Sequence, residues 1–239
     1  MEDTVIIQDV SKSFGKKVVL KNVSFEIKEG RIYGFIGPSG AGKTTLVKMI
    51  VGMDVPDQGS IHLLGEKMPN LDILQQIGYM AQSDALYTAL TGKENLKFFA
   101  SLFRLNKADR QKRIAYAADL VNLTADLDKK VSAYSGGMKR RLSLAIALIQ
   151  NPKVLILDEP TVGIDPELRL SIWNELLRLK KEEGKTIIVT THVMDEAEKC
   201  DYISMVRDGA IIAHGTPVQL KEQYLVNTLD EVFLKAGEK

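Results

Sequence analysis

One glycine-rich segment combines the residue types that bind phosphate: Gly37-Pro38-Ser39-Gly40-Ala41-Gly42-Lys43-Thr44. It matches the G-x-x-x-x-G-K-[ST] pattern at every position, and it lies between an apolar segment and a segment with helical spacing. Glycines let successive backbone N–H groups converge on one anion, and the start of a helix adds a partial positive charge. The lysine can reach the β and γ phosphates, and the threonine hydroxyl can coordinate Mg²⁺. The segment therefore predicts nucleotide binding, without specifying the base or the reaction.

Two adjacent carboxylates, Asp158 and Glu159, follow an apolar segment at 154–157. A carboxylate at the carboxyl end of a parallel strand faces the crevice in which open α/β sheets bind ligands. Adjacent strand residues point to opposite sides, so the two acids are expected to have different roles. We expect Asp158 to hold Mg²⁺, directly or through a water, and Glu159 to polarise an attacking water as a general base.

The spacing of apolar residues predicts the elements around these segments. Strand patterns occupy 5–13, 18–27, 31–36, 60–64, 153–157 and 186–190, of which the first two predict a hairpin. Helical patterns occupy 43–51 and 167–183 and recur throughout 88–149, which predicts an inserted helical segment. Short apolar strands that alternate with helices indicate an α/β fold whose parallel sheet is covered on both faces.

Composition limits the class of protein. The 239 residues include 32 Lys and Arg and 31 Asp and Glu, whereas nucleic-acid binders usually carry a basic excess. The basic run 139–141 is expected to be a solvated helix face. A single cysteine, Cys200, excludes an intramolecular disulfide framework and a cysteine cluster for zinc. The chain shows no signal-peptide pattern and no apolar run of the ~18–20 residues that span a bilayer, so we expect no direct membrane insertion.

A further motif lies between the glycine-rich segment and the two acids: Tyr134-Ser135-Gly136-Gly137-Met138. In this position it resembles the signature motif of ABC ATPases. Four other features match that family's pattern in order along the chain: an aromatic for adenine at Phe14, a Q-loop at Tyr79-Met80-Ala81-Gln82, a D-loop at Gly163-Ile164-Asp165-Pro166 and a switch histidine in Thr190-Thr191-His192. The resemblance covers essentially the whole chain, and this combination of motifs is highly specific.

The resemblance implies a P-loop NTPase core of RecA-like α/β type. The core, with an antiparallel β subdomain, would comprise residues 1–82 and 152–239, and an α-helical subdomain would be inserted at 83–151. The resemblance also implies a head-to-tail dimer, formed by two copies or by two related ATPase subunits, with two ATP molecules between the protomers.

In such a dimer each ATP would contact both protomers. One protomer would supply the glycine-rich segment with Thr45, Phe14, Gln82, Asp158, Glu159 and His192. Its Mg²⁺ ligands would be Thr44, Gln82 and Asp158, and its catalytic set would be Lys43, Gln82, Glu159 and His192. The other protomer would face the γ phosphate with Ser135, Gly136 and Gly137, and Asp165 would communicate across the interface.

The family's activity is ATP hydrolysis coupled to transport through a separate transmembrane permease, with the ATPase peripheral on the cytoplasmic face of the cell membrane. The commonest signature begins with leucine and ends with glutamine, where this chain has Tyr134 and Met138. That form, together with the segment 228–234, is typical of the daunorubicin-type exporter branch. We therefore expect export of a drug, lipid, peptide or polysaccharide. Phe14 replaces the family's usual tyrosine, so it keeps a stacking face and lacks the hydroxyl.

Two other classes of ABC protein fit the sequence less well. A soluble ABC ATPase acting on DNA would carry a long coiled coil between Gln82 and Ser135, which are only 53 positions apart without a heptad run. Ribosome-acting members usually carry two cassettes in one chain, whereas this chain has one set of motifs. We therefore expect no nucleic-acid partner. A nucleotide-binding regulator without turnover would lack the base or the switch residue, and Glu159 and His192 are both present.

Several residues are expected to be structural because no ligand partner lies at suitable spacing: His62, Trp173, Cys200 and His214. The phenylalanines at 98, 99 and 103 either pack within the helical segment or provide an anchor in a groove for the membrane partner.

Overall fold

The computed structural model describes residues 3–83, 85–103 and 105–238. Asp84 and Arg104, which belong to the predicted segment 83–151, lie outside the described residues, as do 1–2 and 239. The chain divides into two compact units: the first unit is 1–73 with 186–239, and the second unit is 74–185. The subdomain boundaries expected from the sequence stay a prediction.

The described residues form ten strands: β1 (Asp3–Phe14), β2 (Lys17–Lys28), β3 (Ile32–Ile36), β4 (Gln58–Leu63), β5 (Glu66–Lys67), β6 (Ile77–Met80), β7 (Val154–Asp158), β8 (Thr186–Thr191), β9 (Tyr202–Arg207) and β10 (Ala210–Gly215). They also form eight α-helices: α1 (Lys43–Ile50), α2 (Gly92–Ser101), α3 (Lys107–Leu120), α4 (Gly136–Leu148), α5 (Pro166–Glu183), α6 (Met194–Ala197), α7 (Pro217–Tyr224) and α8 (Leu229–Ala236). Short 3₁₀ turns lie at Leu74–Gln76, Thr124–Asp126 and Val131–Ala133.

The first unit contains an antiparallel and a mixed arrangement of strands. β1 pairs with β2, as the hairpin pattern predicts, and also with β4, which pairs with β5. In the second arrangement β3 lies between β8 and β9, parallel to both, and β10 pairs antiparallel with β9. Every residue of β3 and β8 is buried, as expected for parallel strands that carry no alternating pattern.

The second unit contains the parallel pair β6 and β7 and four of the helices. α4 contacts both strands as well as α2 and α3, and α3 also contacts α5. Side chains at the N-caps begin these helices: Thr91 for α2, Asn106 for α3, Ser135 for α4 and Asp165 for α5. Such caps satisfy N–H groups that have no partner inside the helix.

Two of the residues expected to be structural, Trp173 on α5 and Cys200, are buried, Trp173 fully. In the helical segment Phe98 and Phe99 form a ring cluster with Tyr87, although Phe98 remains 38% exposed.

Candidate functional site

The glycine-rich segment connects β3 to α1, as the pattern predicts. Gly42 occupies the N-cap of α1 with φ 109°, and a Cβ there would lie 2.8 Å from the Val19 carbonyl oxygen. This position therefore requires glycine for its backbone conformation and for the close approach of β2. No described side chain caps α1, so its first N–H groups have no side-chain acceptor and face the position at which helices bind anions.

Lys43 is buried within this loop. Its ammonium donates to the carbonyl oxygens of Gly37 and Pro38, at 2.6 and 3.0 Å. Thr44 and Thr45 follow in the first turn of α1 and are half-buried, whereas residues 38–40 are exposed. The segment thus presents a cation, backbone N–H groups and hydroxyls together, which is the set of groups that binds a polyphosphate.

Phe14 lies at the tip of the hairpin between β1 and β2 and is 54% exposed. The Lys12 ammonium lies 5.2 Å from the centroid of its ring. A hydrogen bond of 2.8 Å to Asp54 holds that ammonium and raises the pKa of Lys12. The exposed part of the ring offers an apolar face for a planar ligand.

His192 directly follows β8 and is exposed. The backbone on both sides of it is fixed by Thr191, whose hydroxyl donates to Glu196 at 2.7 Å and accepts from the N–H of Val193 at 3.0 Å. The strand register pairs Ile36 with Thr191. The glycine-rich segment and His192 therefore leave the same edge of the first unit's sheet from neighbouring parallel strands.

In the second unit β7 ends at Asp158, which is fully buried. Glu159 is half-buried and lies beyond the strand, with φ 52°. Strand alternation therefore does not set the direction of Glu159; a left-handed turn, rare for a non-glycine residue, sets it instead. The expectation that the two acids have different roles stays a prediction. The register of β6 with β7 pairs Met80 with Leu157, so Gln82 and the acids follow neighbouring parallel strands.

Arg140 joins these segments of the second unit. Its guanidinium donates to the carbonyl oxygens of Ala81 at 2.7 Å, Gln82 at 2.9 Å and Glu159 at 2.6 Å, and also to that of Asp158. Arg140 is only 7% exposed, so the expectation that the run 139–141 is a solvated helix face is wrong for this residue. Sequence reasoning missed it because a basic run does not reveal which member turns inward.

Tyr79 on β6 lies near Asp158 and Arg140. Burial raises its pKa to about 12, and the negative charge of Asp158 adds to the shift. The phenol is therefore neutral at physiological pH, and its hydroxyl lies buried beside the carboxyl ends of the two strands.

The signature and D-loop segments also adjoin each other in the second unit. Ser135 accepts a hydrogen bond from the Met138 N–H at 3.2 Å, and Asp165 accepts one from the Leu168 N–H at 2.9 Å, so each caps its helix. Gly136 is exposed, and a Cβ on Gly137 would lie 3.1 Å from the Gly163 carbonyl oxygen. The second unit thus presents an exposed helix N-terminus with a serine and glycines, which are groups suited to an anion.

Two absences concern metal and membrane. Among the described residues no group of three or more His, Cys, Asp or Glu side chains is placed to hold a metal ion. No helix in the described part of the chain is both long enough and apolar enough to cross a bilayer.

The family described as "ABC transporter" matches residues 20–162. The Nod factor export ATP-binding protein I of Burkholderia orbicola (strain AU 1054) is 42% identical over 229 residues, which cover 95% of this chain and 75% of that protein. Its counterpart in Rhizobium sp. (strain N33) is 42% identical over 94% of this chain and 74% of its own length.

Solved structures of ATP-binding subunits and cassettes are also similar to this chain. The ATP-binding subunit of an ABC transporter superposes with a TM-score of 0.90 at 27% identity, over 98% of this chain and 99% of that one. A dimeric ATP-binding cassette in a post-hydrolysis state, bound to ADP and Pi, superposes with a TM-score of 0.82 at 30% identity, over 89% of this chain and 98% of that one.

Proposed function

Because this chain belongs to the ABC transporter family as an ATP-binding, ATP-hydrolysing subunit, we propose that it drives export through a separate transmembrane permease at the cytoplasmic face of the membrane. Export is the activity in the names of its relatives. The daunorubicin-type branch stays a prediction from the signature and the 228–234 segment. The observation that carries the proposal is the loop before α1, in which Gly42, Lys43 and an uncapped helix start form a phosphate cradle.

We assign ATP binding to the loop before α1, to the first turn of that helix and to Phe14. The N–H groups of the loop and of the first turn of α1 would hold the phosphates, and Lys43 would exchange its carbonyl partners for the β and γ oxygens. Phe14 would stack on adenine through its exposed ring, as base–aromatic contacts commonly do. Thr45 would offer the phosphates a second hydroxyl, next to that of Thr44.

Hydrolysis is proposed as attack of water on the γ phosphorus, in line with the departing β-phosphate oxygen. Glu159 would accept a hydrogen bond from this water and orient it. His192 would hold the water and the γ phosphate from the end of β8, and Gln82 would report the nucleotide state to the permease.

Mg²⁺ is proposed as the cofactor, and it would supply neutralising charge to the phosphates when bound. The candidate ligands are the Thr44 hydroxyl, the Gln82 amide oxygen and the Asp158 carboxylate. All three are oxygen donors, which is the ligand type that Mg²⁺ prefers in proteins. Asp158 lies at the carboxyl end of β7, the edge at which open parallel sheets bind ligands.

The working form is proposed to be a head-to-tail dimer, of two copies or of this chain with a related ATPase subunit. A dimeric arrangement is known for a cassette of similar structure. The exposed helix start at Ser135 and Gly136 would face the γ phosphate held by the other protomer, and Asp165 would communicate across the interface. A soluble ABC ATPase acting on DNA or ribosomes is the alternative, and no observation favours it.

The dimer can be tested with Ser135→Arg, which places a bulky cation where the partner's phosphate is expected. We expect the variant to fold and to lose nearly all ATPase activity. Ser171→Arg is the matched control, because Ser171 is an exposed serine on α5, and it should retain activity. Mixing Ser135→Arg with Lys43→Ala, each inactive alone, should restore activity if the sites fire independently. A folded Ser135→Arg protein with the wild-type rate would disprove the shared site.

A further inference from the structure

We propose that Arg140 is a positioning residue for hydrolysis, which holds the Gln82 segment and the Asp158–Glu159 turn together as one body. The proposal rests on the roles proposed above for Gln82 and Glu159. Its basis is geometric: one guanidinium donates to four carbonyl oxygens, two after β6 and two at the end of β7. The strand pairing of β6 with β7 ends at Met80 and Leu157, so beyond this point the guanidinium continues the connection between the two segments.

The guanidinium suits this task better than other side chains. It is planar, carries five N–H donors in a fixed fork and stays charged, so its two terminal nitrogens can each serve two carbonyl groups. Nη1 donates to residues 81 and 82, and Nη2 donates to residues 158 and 159. A lysine ammonium is a single point of charge and cannot span both pairs with the same geometry.

The backbone conformation of Glu159 also requires neighbouring groups that fix it, such as the Arg140 guanidinium. Its φ of 52° is left-handed, a region that a non-glycine residue occupies only when its surroundings fix it. Its carbonyl oxygen accepts from Arg140 at 2.6 Å and more weakly from the Val162 N–H at 3.4 Å. Removal of the guanidinium would remove the shorter of these two hydrogen bonds, and we expect the Glu159 carboxylate to be oriented less accurately as a result.

The location of Arg140 on α4 also links the site to the signature segment at the start of that helix. Ser135 caps the same helix, and only five positions separate the two residues. A displacement of the N-terminus of α4, where the partner's nucleotide is proposed to bind, would therefore move Arg140 and with it the carbonyl oxygens at 82 and 159.

Arg141 provides a matched control. It is the next residue on α4, and its guanidinium also donates to carbonyl oxygens, of Val121 at 3.4 Å and Asn122 at 2.9 Å at the end of α3. Arg141→Met thus removes the same chemistry from the same helix without touching the segments at 81–82 and 158–159. Thermal unfolding and circular dichroism of both variants would establish that they fold.

The experiment compares the kcat of ATP hydrolysis and the affinity for ATP without magnesium in the full chain. For Arg140→Met we expect kcat to fall about 10- to 100-fold, because misplacement of a reacting group by ~1 Å costs on this order. ATP affinity should change much less, since the phosphate cradle is not held by this residue. Arg141→Met should retain most of its kcat. An Arg140→Met variant with a kcat no lower than that of Arg141→Met overturns the proposal.

Arg140→Lys keeps the test decisive if the methionine variant does not fold. It retains a positive charge in a long side chain, so we expect a folded protein that binds ATP and has a lower kcat than wild type. A wild-type kcat for Arg140→Lys overturns the requirement for the fork.

A double substitution identifies the route. If Arg140 acts through Glu159, Arg140→Met should lower the residual rate of Glu159→Gln far less than it lowers the wild-type rate. Equal factors in both backgrounds overturn action through Glu159. Near-normal turnover of Glu159→Gln would instead contradict the proposed base, and the comparison with Arg141→Met would still decide whether Arg140 positions the site.

Discussion

The loop at 37–44 in the first unit and the turn at 158–159 in the second unit are both proposed to act on ATP, but they are held in different ways. The loop is held from within: Lys43 donates to carbonyl oxygens five and six residues earlier, and Gly42 allows its left-handed backbone. The turn is held from outside by Arg140, which lies 18 and 19 residues earlier and also contacts residues 81–82.

This difference predicts that ATP affinity and the rate of turnover respond to different substitutions. A site whose shape follows from its own short sequence is insensitive to shifts of distant elements. A site held by a side chain from another helix moves with that helix. We therefore expect substitution of Arg140 to alter kcat more than nucleotide affinity, and substitutions in the loop to alter affinity first.

The largest effect is expected for Glu159→Gln, which tests the turnover side of the comparison. The amide keeps the shape of the side chain but cannot serve as a base, so kcat should fall by at least ~10²-fold while ATP still binds. The variant should also accumulate as an ATP-bound dimer, measurable by size-exclusion chromatography with and without ATP. A rate close to that of the wild type would remove Glu159 from the proposed role.

The two regions also differed in how well the sequence predicted them. The loop follows from a contiguous pattern, and its strand, turn and helix were all found where expected. The hold on the turn could not be predicted, because it depends on contacts between residues 58 and 59 positions apart. Alternation predicted strand geometry for Glu159, whereas the strand ends one residue earlier.

Several elements were predicted close to their observed bounds, and several short strands were missed. The hairpin strands and α5 lie within two residues of their predicted bounds. β6, β9 and β10 were not predicted, since runs of four to six residues carry a weak periodic signal. The parallel arrangement was expected from the alternation of elements, and the β3–β8 and β6–β7 pairings confirm it.

An intermediate effect is expected for Phe14→Ala, which tests whether the first unit also governs affinity through a side chain. Loss of a stacked base costs roughly 1–3 kcal/mol, which corresponds to about a 5- to 150-fold weaker Kd for ATP. The kcat at saturating ATP should change much less, because the ring is proposed to contact the adenine base and not the phosphates. Phe14→Tyr preserves the stacking face and should bind as well as wild type. An unchanged Kd for Phe14→Ala, measured by calorimetry, would make Phe14 a residue of the hairpin alone.

The smallest effect is the difference between two alanine substitutions in the loop, which tests whether the close approach of β2 to Gly42 also defines the loop. Gly40 and Gly42 both have positive φ, 82° and 109°. A Cβ on Gly40 would meet nothing within 4 Å, so Gly40→Ala should cost only the left-handed strain of roughly 1–2 kcal/mol. A Cβ on Gly42 would lie 2.8 Å from both the Val19 carbonyl oxygen and the Leu20 side chain. This overpacking should lower the free energy of unfolding by about a further 1–2 kcal/mol. Urea denaturation of both variants measures the difference, and ATP affinity should follow the same order. If the two substitutions cost the same, the close approach of β2 does not define the loop, and its internal lysine bonds must do so.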